Sequence, residues 1–229
     1  HEDPRRQRQM CIRDSVGDVI KRIAGVSMQG DQGEARNIVM RGLGPGQNSV
    51  TLNGDRLPSA EGDNRNVQLD LIPSAMIQSI EVNKTLTPDM EADAIGGSVN
   101  LITRSNPSGF RASATLAGGG QPVRDNGFNS NLSFVVGNEV SDKFSYSLAG
   151  TVQTKDYGSD NIEFEWNDPA DWADDGAIGE MDIRRYDVKR TRRSISLNLD
   201  YDLDDNNKFF LKTIYNHRDD WENRYRMRV

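Results

Sequence analysis

The chain has 229 residues, a formal charge of −7, two histidines and one cysteine, long enough for one large domain or two modest ones. No run of about 18 apolar residues occurs, so no transmembrane helix is predicted; a membrane β-barrel, whose strands meet lipid only at every second residue, keeps a low mean hydropathy and is not excluded. The acidic balance speaks against nucleic acid, which needs a positive field to displace counterions, and Cys11, His1 and His217 offer no disulfide framework, metal cluster or catalytic triad.

Residues 1–14 are polar and basic, lack the apolar core of a secretory signal, and show neither helix nor strand period. They are expected to be an unstructured, non-native junction. From Ser15 the apolar residues Val16, Val19, Ile20 and Ile23 recur at helical spacing. Ser15 serves as N-cap, Asp18 stands at the capping-box position, and Gly25 stops the turn. A polar loop follows from Ser27 to Ala35, then a strand over Asn37 to Arg41, a glycine loop from Gly42 to Gln47, and a strand over Ser49 to Leu52. That strand ends in Asn53-Gly54, a tight-turn signal because both residues tolerate positive φ. A polar loop from Pro58 to Asn66 leads to the apolar stretch Leu69 to Ile72, and Pro73 suits the first position of a short helix. Ile80 to Asn83 and Ser98 to Thr103 read as strands, with an acidic loop between them closed by Gly96-Gly97.

After Pro107 the glycine loops give way to long runs of period-two alternation, which places a boundary near Asn106. Phe144, Tyr146, Leu148, Gly150 and Val152 share one face, with Ser145, Ser147, Ala149 and Thr151 on the other. Ile195, Leu197, Leu199, Tyr201 and Leu203 repeat this against Ser194, Ser196, Asn198, Asp200 and Asp202. Leu132, Phe134 and Val136 do so more weakly. Each run matches the roughly 9 to 11 residues that cross a bilayer as a tilted strand. Asn138 to Asp142 and Asp204 to Asn207 read as tight polar turns, while Tyr157 to Val188 reads as a long acidic loop rich in tryptophan. Short turns at one end and a long loop at the other are the pattern of an outer-membrane barrel, although a soluble all-β domain can reproduce any one of these features.

Two segments carry a family resemblance. The run IVMRGLGPGQNSVTLNGDRLPS, from Ile38 to Ser59, resembles the plug-domain signature of TonB-dependent receptors, with Arg41-Gly42 and Asn53-Gly54 at its fixed points. The run IPSAMIQSIEVNKTLTPDMEADAIGGSVNLITR, from Ile72 to Arg104, resembles the closing plug signature, including Glu81-Val82 and Gly96-Gly97. The resemblance implies an α+β plug domain over 15–105, lacking its amino-terminal part, followed over 106–229 by the first five antiparallel strands of an incomplete transmembrane β-barrel, with an extracellular loop at 157–188. Family barrels have about 22 strands. In such a plug the glycines allow tight turns and close backbone approaches, and Arg41 is expected to pair with carboxylates lining the barrel wall.

The resemblance also implies localisation in the outer membrane of a Gram-negative bacterium, no cofactor, no bond-breaking chemistry, contact with lipid, and energy delivered by TonB through an amino-terminal box not seen in this sequence. Where the common family form continues its Glu-Val strand with Leu-Arg-Gly-Pro, this chain has Asn83-Lys84-Thr85-Leu86-Thr87-Pro88. That departure resembles a carbohydrate-uptake subgroup, with iron chelates the next substrate class.

By the same resemblance three plug loops, Ser27 to Ala35, Gly44 to Ser49 and Pro58 to Asn66, point outward. Gln29, Asp31, Gln47, Asn48, Glu61, Asp63 and Asn64 are their polar candidates for substrate, since planar amides and carboxylates suit hydroxyls. Trp166 and Trp172 offer aromatic faces for sugar rings. Asp171 to Asp182 superficially resembles a calcium loop, but Ala173 occupies an oxygen-ligand position and Asp182 replaces the bidentate glutamate, so no metal is expected. The rival readings are a surface or adhesive barrel that transports nothing and, further off, an enzyme acting on glycosides through paired carboxylates.

Overall fold

The computed structural model describes residues 16–85, 88, 91–92, 94–104, 106–121, 127–166, 178–204 and 206–229. Residues 1–14, the N-cap Ser15 and the candidate Trp172 lie outside the described residues, as does 167–177 of the expected long loop.

The chain opens with a one-turn helix, α1 (Val16–Ile20), whose Val16 and Ile20 are fully buried. The segment expected as a polar loop over 27–35 is instead a β-hairpin, with β1 (Val26–Asp31) antiparallel to β2 (Glu34–Met40). Sequence reading missed it because β1, VSMQGD, shows little apolar alternation. The turn is made by Gln32 and Gly33, both at positive φ, which gives the twist that a two-residue hairpin needs.

A second sheet has the order β4-β3-β6-β5, formed by β3 (Asn48–Leu52), β4 (Asp55–Arg56), β5 (Ile77–Asn83) and β6 (Gly97–Thr103). β3 runs parallel to β6, while β4 and β5 are antiparallel to their neighbours. The Asn53-Gly54 turn joins β3 to β4, with φ of 53° and 93°. The Leu69–Leu71 stretch forms a 3-10 turn, and Pro73 sits one position earlier than expected, as N-cap of a second one at Ser74–Met76. β5 starts at Ile77 rather than Ile80. Val16, Ile20, Ile38, Met40, Val50, Leu69, Val99 and Leu101 form the core shared by helix, hairpin and sheet.

Asn53 ties this sheet together at one end. Its Oδ1 accepts from the Thr103 backbone N–H at 3.0 Å and from Thr103 Oγ1 at 3.1 Å. Asn53→Ala loses both bonds and places a Cβ-bearing residue without a compensating side chain at positive φ, so a loss of about 2–3 kcal/mol is expected in chemical denaturation. An unchanged midpoint would show that the contacts add nothing.

The remaining strands, β7 (Arg111–Gln121), β8 (Gly127–Ser141), β9 (Phe144–Trp166), β10 (Ile178–Asp204) and β11 (Asn207–Arg228), pair in sequence order as one five-stranded sheet. The turn between β8 and β9 is tighter than expected, at Asp142–Lys143. The expected loop over 157–188 is mostly strand: β9 continues to Trp166 and β10 begins at Ile178. The stretch reads as loop because it is dense in carboxylates and tryptophan, although Ile162, Phe164 and Trp166 continue a period-two face to the end of β9.

The turn from β10 to β11 is closed by Asp204, whose Oδ1 accepts from the Asn206 and Asn207 backbone N–H groups and from Asn207 Nδ2. The Asn207 side chain, then the Asn206 backbone N–H, hold its carboxyl below the usual carboxylate range. A depressed folded-state pKa stabilises the turn above the unfolded-state value, and that contribution disappears as pH falls through the lowered one. The Asn207 amide resonance should therefore titrate below the ordinary aspartate range in an NMR pH series. A midpoint at or above that range would contradict the turn.

Two compact units emerge. The first joins the segment ending at Leu116 to Leu132–Val152 and Arg192–His217; the second is Ala117–Asn131, Gln153–Thr191 and Arg218–Val229. In the first unit the burial of the long strands is inverted. On β9 and β10 the small or polar residues Ser147, Ala149, Thr151, Ser194, Ser196 and Asn198 are buried, whereas Val152, Ile195, Tyr201 and Leu203 are exposed. The second unit is laced by charges: Arg190 Nε donates to Asp220 Oδ1 at 2.7 Å and lies over the Tyr157 ring, and Asp182 accepts from Arg184 at 2.6 Å and Arg228 at 3.3 Å.

Candidate functional site

Inside the first unit, the hairpin and the four-stranded sheet meet the polar face of β10. Period two aims Arg192, Ser194, Ser196 and Asn198 to the same side, and all four are buried. Arg192 Nη1 donates to Glu34 Oε1 at 3.1 Å, its Nη2 bonds Glu34 Oε2, and Nη2 also reaches Asp70 Oδ2 at 3.1 Å. Glu34 begins β2 and Asp70 sits in the 3-10 turn, so one wall guanidinium clips two separate parts of the small domain. The fork of donors suits this bidentate geometry in a way an ammonium would not. Farther along β10, Asn198 Nδ2 donates to Thr103 Oγ1 at 3.2 Å and to the Arg104 carbonyl at 3.0 Å. The connecting residue Asn106 donates to Ser145 Oγ at 3.0 Å and to Asp200.

This contact has the opposite polarity to the one expected of Arg41. Among the described residues, Arg41 makes no contact with a carboxylate of β7 to β11. It stands at φ 54°, exposed, with Nη2 donating to the Lys84 carbonyl within the small domain. The arginine belongs to the wall and the carboxylates to the domain it holds. The sequence did contain a signal for this: Arg192 continues the polar parity of Ser194, Ser196 and Asn198, where the other residues are small.

Gly96 and Gly97 close the top of the small sheet because side chains do not fit. A Cβ on Gly96 would lie 2.1 Å from Asn48 Oδ1, and one on Gly97 would lie 2.5 Å from Met40 Cε and 2.8 Å from the Asn83 carbonyl. Gly42 and Gly54 both stand at positive φ in turns. Glu81 accepts from Asn100 Nδ2 at 3.0 Å across the β5–β6 pair.

The predicted substrate residues fall into distinct settings. Asp31, Glu61 and Asn64 are brought together: Arg36 pairs with both Asp31 and Glu61, and Asn64 Nδ2 donates to Glu61 Oε2 at 2.6 Å. The loop carrying Glu61 and Asn64 is tied down by Gln68, which is buried and accepts from the Ala60 backbone N–H at 2.9 Å and donates to Ser59 Oγ. Gln29 on β1, Gln47 in a 3-10 turn, and Asp63, next to Asn64, are exposed. Trp166 is exposed at the end of β9, tilted against Phe164 with ring centroids 6.3 Å apart. Asn48 requires correction as an outward-facing residue. It is buried, and its Nδ2 lies within bonding distance of the Ile38, Leu43 and Gly44 carbonyls at 3.2, 3.3 and 2.9 Å. Asn48→Ala should cost about 1–3 kcal/mol of stability by leaving those carbonyls short of a donor. Equal melting temperatures would reject that structural role.

Residues 7–98 match the family model described as TonB-dependent Receptor Plug Domain. The chain carries the plug of a TonB-dependent receptor. Among curated relatives, the iron-regulated outer membrane virulence protein of Vibrio cholerae is 27% identical over 67% of this chain and 24% of its own length. The vitamin B12 transporter BtuB of Vibrio vulnificus is 27% identical over 76% and 29% respectively, and BtuB of Photobacterium profundum is 30% identical over 71% and 25%. The chain thus spans about a quarter of the length of the relatives it matches. The unliganded ferric citrate transporter FecA superposes with a TM-score of 0.54 at 16% identity, covering 90% of this chain and 38% of FecA. A ferric enterobactin receptor of Pseudomonas aeruginosa gives 0.51 at 16%, covering 82% and 30%. These likenesses fix the fold: a plug followed by antiparallel barrel strands whose sheet is not closed. The relatives are outer-membrane receptors and transporters of Gram-negative bacteria rather than enzymes.

Proposed function

We propose that the chain is part of an active importer that carries a scarce nutrient across the outer membrane, with 15–105 as plug and 106–229 as the first strands of the barrel. The observation that carries this reading is the inverted burial of β9 and β10: Val152, Ile195, Tyr201 and Leu203 are exposed while small or polar side chains are buried, the arrangement that a strand facing lipid requires. An open five-stranded sheet leaves unpaired edges in lipid, so transport belongs to a receptor with further strands. TonB, acting through an amino-terminal box, is the energy-coupling partner.

The substrate class is a metal chelate of the siderophore or cobalamin kind, in keeping with the names of the relatives. An oligosaccharide is the second reading, favoured by the Asn83–Pro88 departure from the common family motif; none of the relatives named above bears a carbohydrate name. Gln29, Asp31, Gln47, Glu61, Asp63, Asn64, Trp166 and Trp172 remain the proposed substrate contacts, and Asn48 leaves that set. Uptake of labelled ferric enterobactin, cyanocobalamin and a maltooligosaccharide by cells carrying the full-length receptor, with and without TonB, tests the reading. TonB-dependent accumulation of one of them is expected. Equal accumulation without TonB, or a receptor that accumulates none, would favour a surface barrel that transports nothing.

A further inference from the structure

The second unit has two unlike faces. On one, Arg184 pairs with Glu163 and Asp182, and Arg190 with Asp220, so these side chains share one side of β9, β10 and β11. Period two then turns Ile162, Phe164, Ile183, Trp221, Tyr225 and Met227 to the other side, where all six are exposed. The register lines them up. Thr154 Oγ1 lies 3.3 Å from Thr191 Oγ1 across β9 and β10, which sets Ile162 opposite Ile183; Met181 and Val229 exchange two backbone hydrogen bonds at 3.0 Å, which sets Ile183 opposite Met227. Exposed apolar rows that continue across three neighbouring strands mark an interaction surface.

Hydrocarbon does not fill that surface. Between Ile195 and Ile183 the same face of β10 carries Arg193, Thr191, Lys189, Asp187 and Arg185, and between Val152 and Ile162 the same face of β9 carries Thr154, Asp156 and Asp160. Ile183 therefore stands about 40 Å along the strand from Ile195, at roughly 3.3 Å per residue. The apolar band of a barrel is only about 25 Å tall, and its aromatic girdles adjoin it. A face that continues the lipid-facing one, beyond a charged belt, meets the sugars of the outer leaflet's glycolipid. Its chemistry suits them. Trp221 and Tyr225 alternate with Asn223 along β11, and Arg185, opposite Tyr225, is exposed and donates to Asp187 at 3.4 Å. Aromatic faces stack on sugar rings, while amide and guanidinium groups meet hydroxyls.

We propose that this outward face docks the saccharide core of the outer-leaflet glycolipid, with sugar rings on Trp221 and Tyr225 and their hydroxyls against Asn223 and Arg185. This rests on the outer-membrane barrel reading.

The test uses the full-length receptor, purified in mild detergent and mixed with rough lipopolysaccharide that carries its complete core, or with a form truncated to lipid A and its first two sugars. Glycolipid retained through gel filtration is quantified by mass spectrometry. The parent is expected to retain at least fivefold more of the complete-core form than of the truncated one. Trp221→Ser combined with Tyr225→Ser should bring the two forms level, and Ile183→Asn, which removes no ring, should narrow the difference. Equal retention of both forms by the parent overturns the proposal, whatever the variants do. An unchanged preference in a double variant that keeps its heat-modifiable mobility overturns it too. So does a folded double variant that loses a co-purifying protein or a second copy of the receptor while keeping the glycolipid, because the face then serves a protein contact. TonB-dependent uptake by the same parent leaves the transporter reading standing when the glycolipid proposal fails; a parent without heat-modifiable mobility is no barrel, and both fall.

Discussion

Replacing Arg192 by methionine is expected to loosen the plug from its wall by about 3–5 kcal/mol, the usual consequence of removing one partner from a buried ion pair. The substitution keeps most of the side-chain volume but leaves Glu34 and Asp70 without the guanidinium they share. Arg192 and Asp70 are almost completely buried, so solvent does not screen the loss as it would at a surface pair. Backbone hydrogen exchange should report it as faster exchange in β2 and in the 69–72 turn, with β9 and β10 themselves unaffected. Combining Arg192→Met with Glu34→Gln and Asp70→Asn should restore much of the loss, because neutral amides bury at far lower cost than carboxylates that have lost their guanidinium. If the single variant exchanges like the parent, the clip contributes nothing and the plug is held elsewhere.

Gly97→Val is expected to be comparably severe, for an unrelated reason. Gly97 has φ of 146°, a conformation that a β-branched residue adopts only under strain, and the new Cβ would overlap Met40 Cε at 2.5 Å and the Asn83 carbonyl at 2.8 Å. Strain and overpacking each typically cost about 1–3 kcal/mol. Met40 is buried in the centre of the core and the carbonyl is backbone, so neither neighbour yields cheaply. The expected result is a plug that exchanges globally or is cleaved by added protease, with uptake lost; normal uptake by Gly97→Val would count against the plug assignment. Gly96→Val meets Asn48 Oδ1 first, and disturbs the amide that holds the Ile38, Leu43 and Gly44 carbonyls.

The contrast between what sequence made legible and what it hid follows from how each element is encoded. The Asn53-Gly54 turn and the faces of β9 and β10 were readable because they depend on local chemistry: φ-tolerant residues in one case, strict period two in the other. The plug was readable because two signatures fall in order. The β1–β2 hairpin was hidden since the alternation of Val26 and Met28 stops at Gln29-Gly30-Asp31, and the tails of β9 and β10 were hidden because their many charged residues read as loop. Asn48 looked like a loop amide; only the tertiary packing of Gly96 against it, and three carbonyls from other segments, reveals why it is buried. For the Arg192 clip, polar parity places the guanidinium on the face of Ser194, Ser196 and Asn198, but its partners were out of reach. Its partners lie 158 and 122 residues away in sequence, and no local pattern assigns a lone arginine on a polar face to one carboxylate over another.

The most direct test of the central claim, that this chain is a plug followed by barrel strands with apolar faces turned to lipid, is a nitroxide scan from 192 to 203 on β10 of the full-length receptor in bilayers. Accessibility to oxygen, which concentrates in the hydrocarbon, should alternate with period two, high at 195, 197, 199, 201 and 203 and low at 194, 196 and 198. A scan without period two, or one with its phase reversed so that the serines meet lipid, would contradict the account.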